Sequence, residues 1–248
     1  RIMERGKTVG VITNDQGKYL VDTAFVRASD IPTVEVTGGC FCCNYDDLQA
    51  RLDQLRDSAR PDTIFAESVG SCSDVVATVM KPFMELRESD GPPPSFSVFA
   101  DIRLLRRRLL GMPLPFSEKV TYLFDKQIEE AGLIVVNKAD SIAPELAEET
   151  VRMARDRFPG RPVRLQNSLD PADTAAWLEL IESGTISAPG PLLDIDYAVY
   201  GSGERELAWL DERGLSRPCG WPLPEVPVPP RRAFELLFFD YMGLAPRE

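Results

Sequence analysis

Three of the five cysteines fall within four positions, in the run Gly38-Gly39-Cys40-Phe41-Cys42-Cys43, while Cys72 and Cys219 stand apart. Thiolates are soft ligands, so one tight cluster in a chain otherwise poor in cysteine suits zinc, cobalt or copper(I), or a redox centre in a reducing compartment. A secreted disulfide scaffold would instead spread an even number of cysteines along the chain. The competing explanation, that small buried thiols simply pack, serves one cysteine better than three in four residues. Cys42 and Cys43 are adjacent and cannot both point one way from a regular strand, so the loop must be irregular, which Gly38 and Gly39 permit. The candidate metal ligands are therefore Cys40, Cys42 and Cys43, with water, a carboxylate or Cys72 in a fourth position.

A second chemistry is written at Asn137-Lys138-Ala139-Asp140, directly after the apolar run Leu133-Ile134-Val135-Val136. Guanine presents two donors on one edge, and one carboxylate, Asp140, can accept both, whereas adenine has no such pair. Losing that contact leaves buried polar groups unpaired, at about 1–3 kcal/mol. Asn137 can tie the loop together and the Lys138 stem can lie along the base. A surface turn rich in Asn and Asp is the plainer explanation of four such letters, and the hydrophobic strand in front of them argues against it. A third segment, Ile64-Phe65-Ala66-Glu67-Ser68-Val69-Gly70, puts an acid at the end of a strand, where α/β sheets bind ligands. Glu67 could hold Mg²⁺ through a water and the Gly70 amide could sense a terminal phosphate, although an ordinary strand end has the same letters.

These residues need elements to position them. The β-branched runs at 8–13, 33–36, 63–66, 97–100, 133–136 and 162–165 are expected strands, and 46–56, 73–86, 123–131, 144–157 and 174–182 are expected helices. Leu48, Leu52 and Leu55 give the first helix one apolar face. Strands alternating with helices of ten to fifteen residues predict an α/β fold, a mostly parallel sheet with helices on both faces. Composition changes near residues 186–191. Beyond it, Ile195, Tyr197 and Val199 alternate like a half-exposed strand, Gly201-Ser202-Gly203-Glu204 reads as a turn, and 206–210 as the partner strand. Six prolines mark 217–230 as a linker, and Phe234, Leu237, Phe238 and Tyr241 line one face of a closing helix. The expected domains are 1–188 and a small, truncated α+β segment at 189–248.

The composition excludes whole classes. The chain of 248 residues contains no histidine, which removes Ser-His-Asp and Cys-His catalysis and every imidazole metal ligand. Lys and Arg total 28 against 39 Asp and Glu, a net charge of −11 that argues against nucleic-acid binding. No apolar run approaches the ~18 residues of a membrane span. A cytoplasmic protein is expected.

Taken in order, Asn14-Asp15-Gln16-Gly17 after a strand, Gly39-Cys40-Phe41-Cys42-Cys43, Glu67-x-x-Gly70, Asp101 after a strand, and Asn137-Lys138-x-Asp140 resemble the CobW-type branch of the SIMIBI P-loop GTPases, relatives of the UreG and HypB nickel-insertion proteins. The resemblance spans residues 7–183, and Cys-x-Cys-Cys, the metal-binding signature of that branch, is its most specific piece. It implies a P-loop NTPase fold and GTP hydrolysis, in the full-length protein, coupled to delivery of zinc, cobalt or a similar metal to a client protein, with GTP or GDP and Mg²⁺ as cofactors. It also implies contacts from Asn167 and Ser168 beside the base, and Mg²⁺ or switch contacts from Asp15 or Asp22. A homodimer is an open expectation. The sequence departs from the family pattern in three places. There is no G-x-x-x-x-G-K-[ST]: Gly6-Lys7-Thr8 imitates its tail, but Arg1 stands where the first glycine would be. Arg1 to Arg5 is accordingly expected to end a first helix, with the first strand and phosphate loop upstream. Ser71-Cys72-Ser73-Asp74 replaces the family's Leu-Ala-Asp-Pro, and the His-rich stretch is absent. Two alternatives stay open: a non-catalytic metal or redox module on a degenerate GTPase domain, and a regulatory P-loop NTPase with structural cysteines.

Overall fold

The computed structural model describes residues 2–14, 23, 26–85, 94–186 and 190–207. They lie in the compact unit Arg1–Asp211. Asp15, Asp22, the proline-rich stretch and the expected closing helix fall outside the described residues.

Six parallel strands form two sheets. The first has β1 (Val9–Thr13) between β2 (Thr33–Glu35) and β3 (Thr63–Glu67). Val11, Ile12 and Thr13 pair with Thr33, Val34 and Glu35 on one side, and Val9 through Thr13 pair with Thr63 through Glu67 on the other. The second sheet has β5 (Leu133–Asn137) between β4 (Ser97–Asp101) and β6 (Val163–Leu165). The helices are α1 (Tyr45–Ala59), α2 (Lys81–Glu85), α3 (Ile102–Leu109), α4 (Glu118–Glu129), α5 (Pro144–Arg157), α6 (Pro171–Glu182) and α7 (Tyr197–Glu206).

Alternation along β1 assigns its two faces. Ile12 joins Val34, Leu48, Leu52 and Leu55 in a core under α1, and Val9 and Val11 turn the other way to meet Phe65 and Leu178 of α6. Gly10 lets α1 approach, because a Cβ there would stand 2.7 Å from Leu55 Cδ2. The second sheet repeats the pattern. Ile134 and Val136 pack with Ile102, Leu105, Val151 and Ala154, while Leu133 and Val135 face Trp177, Leu180 and Ile186. Helix α6 thus covers one face of both sheets. Its Trp177 ring lies 6.1 Å from that of Phe65 on β3 and 5.3 Å from that of Phe99 on β4. Among the described residues, β3 and β4 are both edge strands. Ala66 on β3 is exposed rather than buried.

Two expectations fail here. Residues 197–206 are helix α7, not a strand and a turn. Asp196 caps it by accepting from Ala198 N and Val199 N. Its glycine serves helix contact rather than turning: a Cβ on Gly203 would lie 2.5 Å from Leu123 Cδ1 and 2.8 Å from the Lys119 carbonyl of α4. The expected partner strand at 206–210 therefore begins inside a helix, and its last three residues lie outside the described set. The helix expected at 73–86 starts late, as a π-helical turn Val76–Met80, because Asp74 sits at φ 65° and interrupts it. Gly6-Lys7-Thr8 is no phosphate loop, as expected with Arg1 at the first glycine position. Gly6 ends a 3₁₀ turn at φ 76°, Lys7 Nζ lies 3.0 Å from Glu182, and Thr8 donates N–H and Oγ1 to Asp62 Oδ2 at 2.7 and 2.9 Å.

Candidate metal and nucleotide sites

The cysteine loop leaves the carboxyl end of β2, and a neighbouring strand fixes it. Val36 N donates to Thr13 O at 2.9 Å. Asn14, 7% exposed at the end of β1, then holds the loop through one side chain. Its amide donates to Val36 O (3.1 Å) and Gly39 O (2.8 Å), and its carbonyl accepts from Phe41 N at 3.0 Å. Gly38 takes φ 81°, in the left-handed region that a side chain would strain. Phe41 is buried in the α1 core, so the loop is pinned between the flanking cysteines. The Cys40 carbonyl accepts from Cys43 N and Asn44 N at 3.0 and 3.1 Å, turning the chain into α1.

The three sulfurs converge within 4.8 Å of one another. Cys40 and Cys42 are in disulfide contact, Cys43 Sγ lies 3.2 Å from Cys40 Sγ and 3.9 Å from Cys42 Sγ, and Cys43 is the exposed member. Cys72, buried, approaches from the loop after β3, its Sγ 3.7 Å from Cys42 Sγ. A metal held by thiolates at ~2.3 Å in a tetrahedron has sulfur–sulfur edges of ~3.8 Å, so the donor set and spacing fit a soft cation once the chain is reduced. Burial first, and then the negative charge of Glu130, pushes the Cys72 thiol up to about 12. Metal binding at such thiols must release protons.

Glu67 ends β3, opposite Thr13, and is exposed. The following loop is held from α4: Gln127 Nε2 donates to Gly70 O at 2.8 Å and Cys72 O at 3.0 Å. It is held from α7 as well, where Ser71 Oγ donates to Glu204 Oε1 at 3.2 Å and the Tyr197 hydroxyl donates to Asp74. Glu130, 1% exposed, accepts from Val76 N at 3.2 Å at the start of the π-helical turn. Burial, with the nearby Asp74 charge, raises its carboxyl to about 7.

The loop after β5 is held by one left-handed residue and by bonds to the end of β6 and the loop that follows it. Lys138 sits at φ 61°, which turns Ala139 N onto Gln166 O at 3.1 Å. Asn137 Oδ1 accepts from Ser168 N (3.1 Å) and Ser168 Oγ (2.9 Å), so the loop after β6 lies against this one. Asn167 N donates to Asp173 Oδ2 at 2.8 Å. Lys138 Nζ is 3.3 Å from Asp101 Oδ2. Burial pushes the Asp101 carboxyl up, but hydrogen bonds from the Arg103 backbone and guanidinium outweigh it and hold the group below its ordinary range. Asp140 is exposed, open to a ligand.

The structure therefore gathers the expected residues into two groups, Cys40, Cys42 and Cys43 in one, and Asn137, Lys138, Asp140, Asn167 and Ser168 in the other, with Glu67 and Gly70 on the β3 loop. Asp15 and Asp22 lie outside the described residues. Sequence reasoning missed Asn14 as the clamp of the cysteine loop. It placed that residue only in the Asn14-Asp15-Gln16-Gly17 run after a strand, although a buried strand ending in Asn, with a Gly-Gly loop after the next strand, was the available signal.

No helix among the described residues is long and apolar enough to cross a membrane. No curated protein matches the chain significantly. Among solved structures, a hydrogenase maturation factor HypB from Archaeoglobus fulgidus matches with 17% identity and a TM-score of 0.48, covering 74% of this chain and 78% of that one. The model of the CobW/HypB/UreG nucleotide-binding domain matches residues 2–163. With parallel sheets, helices on both faces and chemistry-bearing loops at the strand ends, the chain belongs to the CobW/HypB/UreG family of nucleotide-binding domains.

Proposed function

We propose that this chain is the guanine-nucleotide-binding part of a metal-insertion protein, which couples GTP hydrolysis to delivery of zinc, cobalt or a similar soft metal to a client. The observation that carries the reading is the convergence of the Cys40, Cys42 and Cys43 sulfurs within 4.8 Å at a strand end of this nucleotide-binding fold. The metal is the cargo. Asp140 would accept from the guanine edge, Asn137 and Ser168 would hold its loop, and Lys138 and Asn167 would flank the base. Glu67, with Asp15 or Asp22, would hold Mg²⁺, which supplies charge neutralisation on the phosphates, and the Gly70 amide would read the terminal phosphate. Loops of this kind are ordered by phosphate and Mg²⁺ and released on hydrolysis. Metal affinity then differs between the GTP and GDP states, and by linkage metal shifts nucleotide affinity by the same factor. The test is a competitive Zn²⁺ titration of the full-length protein with GDP and with a non-hydrolysable GTP analogue. Equal dissociation constants in the two states would remove the coupling.

One observation favours a second reading. The disulfide contact of Cys40 and Cys42 suits a thiol–disulfide module on the same scaffold. Mass spectrometry after equilibration in glutathione buffers separates the two. A reduced trithiol at cytosolic poise supports metal handling, and a persistent Cys40–Cys42 bond supports the redox module.

A further inference from the structure

The Cys-x-Cys-Cys run supplies three sulfurs from the loop after β2. A fourth approaches from the loop after β3. Cys72 is 3% exposed, lies in the core with Phe41 and Val75, and stands 3.7 Å from Cys42 Sγ, close to the ~3.8 Å edge of a tetrahedral thiolate site. Its segment is contacted by two helices. Cys72 N donates to Val69 O at 2.8 Å, Gln127 holds the carbonyls of Gly70 and Cys72, and α7 holds Ser71 and Asp74 on either flank.

We propose that Cys72 is the fourth ligand of the Cys40, Cys42 and Cys43 site, so that a bound metal is closed by four sulfurs drawn from two different strand-end loops. The inference rests on the metal-binding reading of the cysteine loop and deepens it. The set within 4.8 Å of one another is Cys40, Cys42 and Cys43, and Cys72 reaches it through Cys42. Closing the tetrahedron therefore draws the 70–73 segment toward Cys40 and Cys43. Four sulfurs also leave no open position, which makes the loaded site a holding state. A client can take the metal only after one ligand leaves, and Cys72, on the loop that carries Gly70, is the ligand that nucleotide can move.

The test is a Co²⁺ titration of the reduced chain under anaerobic conditions, comparing wild type, Cys72→Ser, Cys72→Ala and Cys42→Ser. In Cys72→Ser the thiolate-to-cobalt charge-transfer intensity should fall by about a quarter, one sulfur in four, and Zn²⁺ affinity by at least about tenfold. X-ray absorption of the zinc-loaded wild type should count four sulfurs, which decides the point even where a variant fails to fold. Three sulfurs plus an oxygen in the wild type, with unchanged bands in Cys72→Ala, would overturn the fourth ligand and leave the three-cysteine site standing. Wild-type protein without charge-transfer bands would overturn the metal-binding reading itself.

Discussion

The loop after β2 and the loop after β5 both leave a buried parallel strand carrying the residues of a site, and they are held in opposite ways. The cysteine loop depends on one side chain from a neighbouring strand, Asn14, which spans Val36, Gly39 and Phe41. The Asn137–Asp140 loop uses residues of its own, a left-handed Lys138, Ala139 N on Gln166 O, and Asn137, whose side chain accepts from Ser168 of the next loop. The difference concerns where the information sits. A loop whose clamp is one of its own residues shows that residue in the motif, although its partner stands 31 positions away. A loop shaped by a residue 22 to 27 positions away is visible only once strands are paired.

The largest test of this contrast is Asn14→Ala. It leaves a buried N–H and two carbonyls without their partner, and should lower unfolding stability by about 3 kcal/mol, read as a shift in urea midpoint. The Co²⁺ charge-transfer bands should weaken with it. A loss smaller than that of Ser168→Ala would reverse the comparison.

Glu130 sharpens it from the side of the β3 loop. Its carboxyl, faced by Asp74 and by the amides at the start of the π-helical turn, titrates at about 7 in the folded chain. The folded state therefore holds a proton that the unfolded state gives up near the ordinary 4.5. The stability this contributes is full below about 4.5 and is lost as pH rises through about 7, a fall of about 3 kcal/mol at most. Thermal unfolding should show a lower midpoint at pH 8 than at pH 5, and Glu130→Gln should flatten the difference. A wild-type profile flat over that range would mean that Glu130 is ionised in the fold.

On the other side, Asp140→Asn should cost GTP about 2 kcal/mol of binding in the full-length protein, with xanthine nucleotide restoring it. Equal affinity of the wild type for ATP and GTP would remove the guanine role. The smallest effect is expected for Ser168→Ala, about 1 kcal/mol of stability, because Ser168 N still donates to Asn137.

The same contrast explains what could be read from the sequence. The leucines at 48, 52 and 55 announced α1, and the apolar run at 133–136 announced β5, because period and burial agreed within a few residues. Helix α3 escaped notice: the arginines among Ile102, Leu105 and Leu109 mask a one-sided apolar face, and its cap, Asp101, was taken only as a strand end. Helix α7 was misread because Gly203 answers to the α4 backbone, a constraint that no local pattern carries. Cys72 was legible only as one of three candidates for a fourth position, since β1 separates the strands that bring the two loops together.

The unpaired outer edges of β3 and β4 bear on how copies of the chain behave in company. Each offers a row of backbone donors and acceptors to any extended segment, and Phe99 on β4 is 44% exposed. A net charge of −11 adds mutual repulsion between copies in dilute buffer. Salt that shortens the screening length to ~3 Å, near 1 M, removes that barrier while leaving the edges intact. Colloidal stability of this protein is therefore electrostatic: light scattering should grow with ionic strength, and a short peptide that adds to either edge should suppress it.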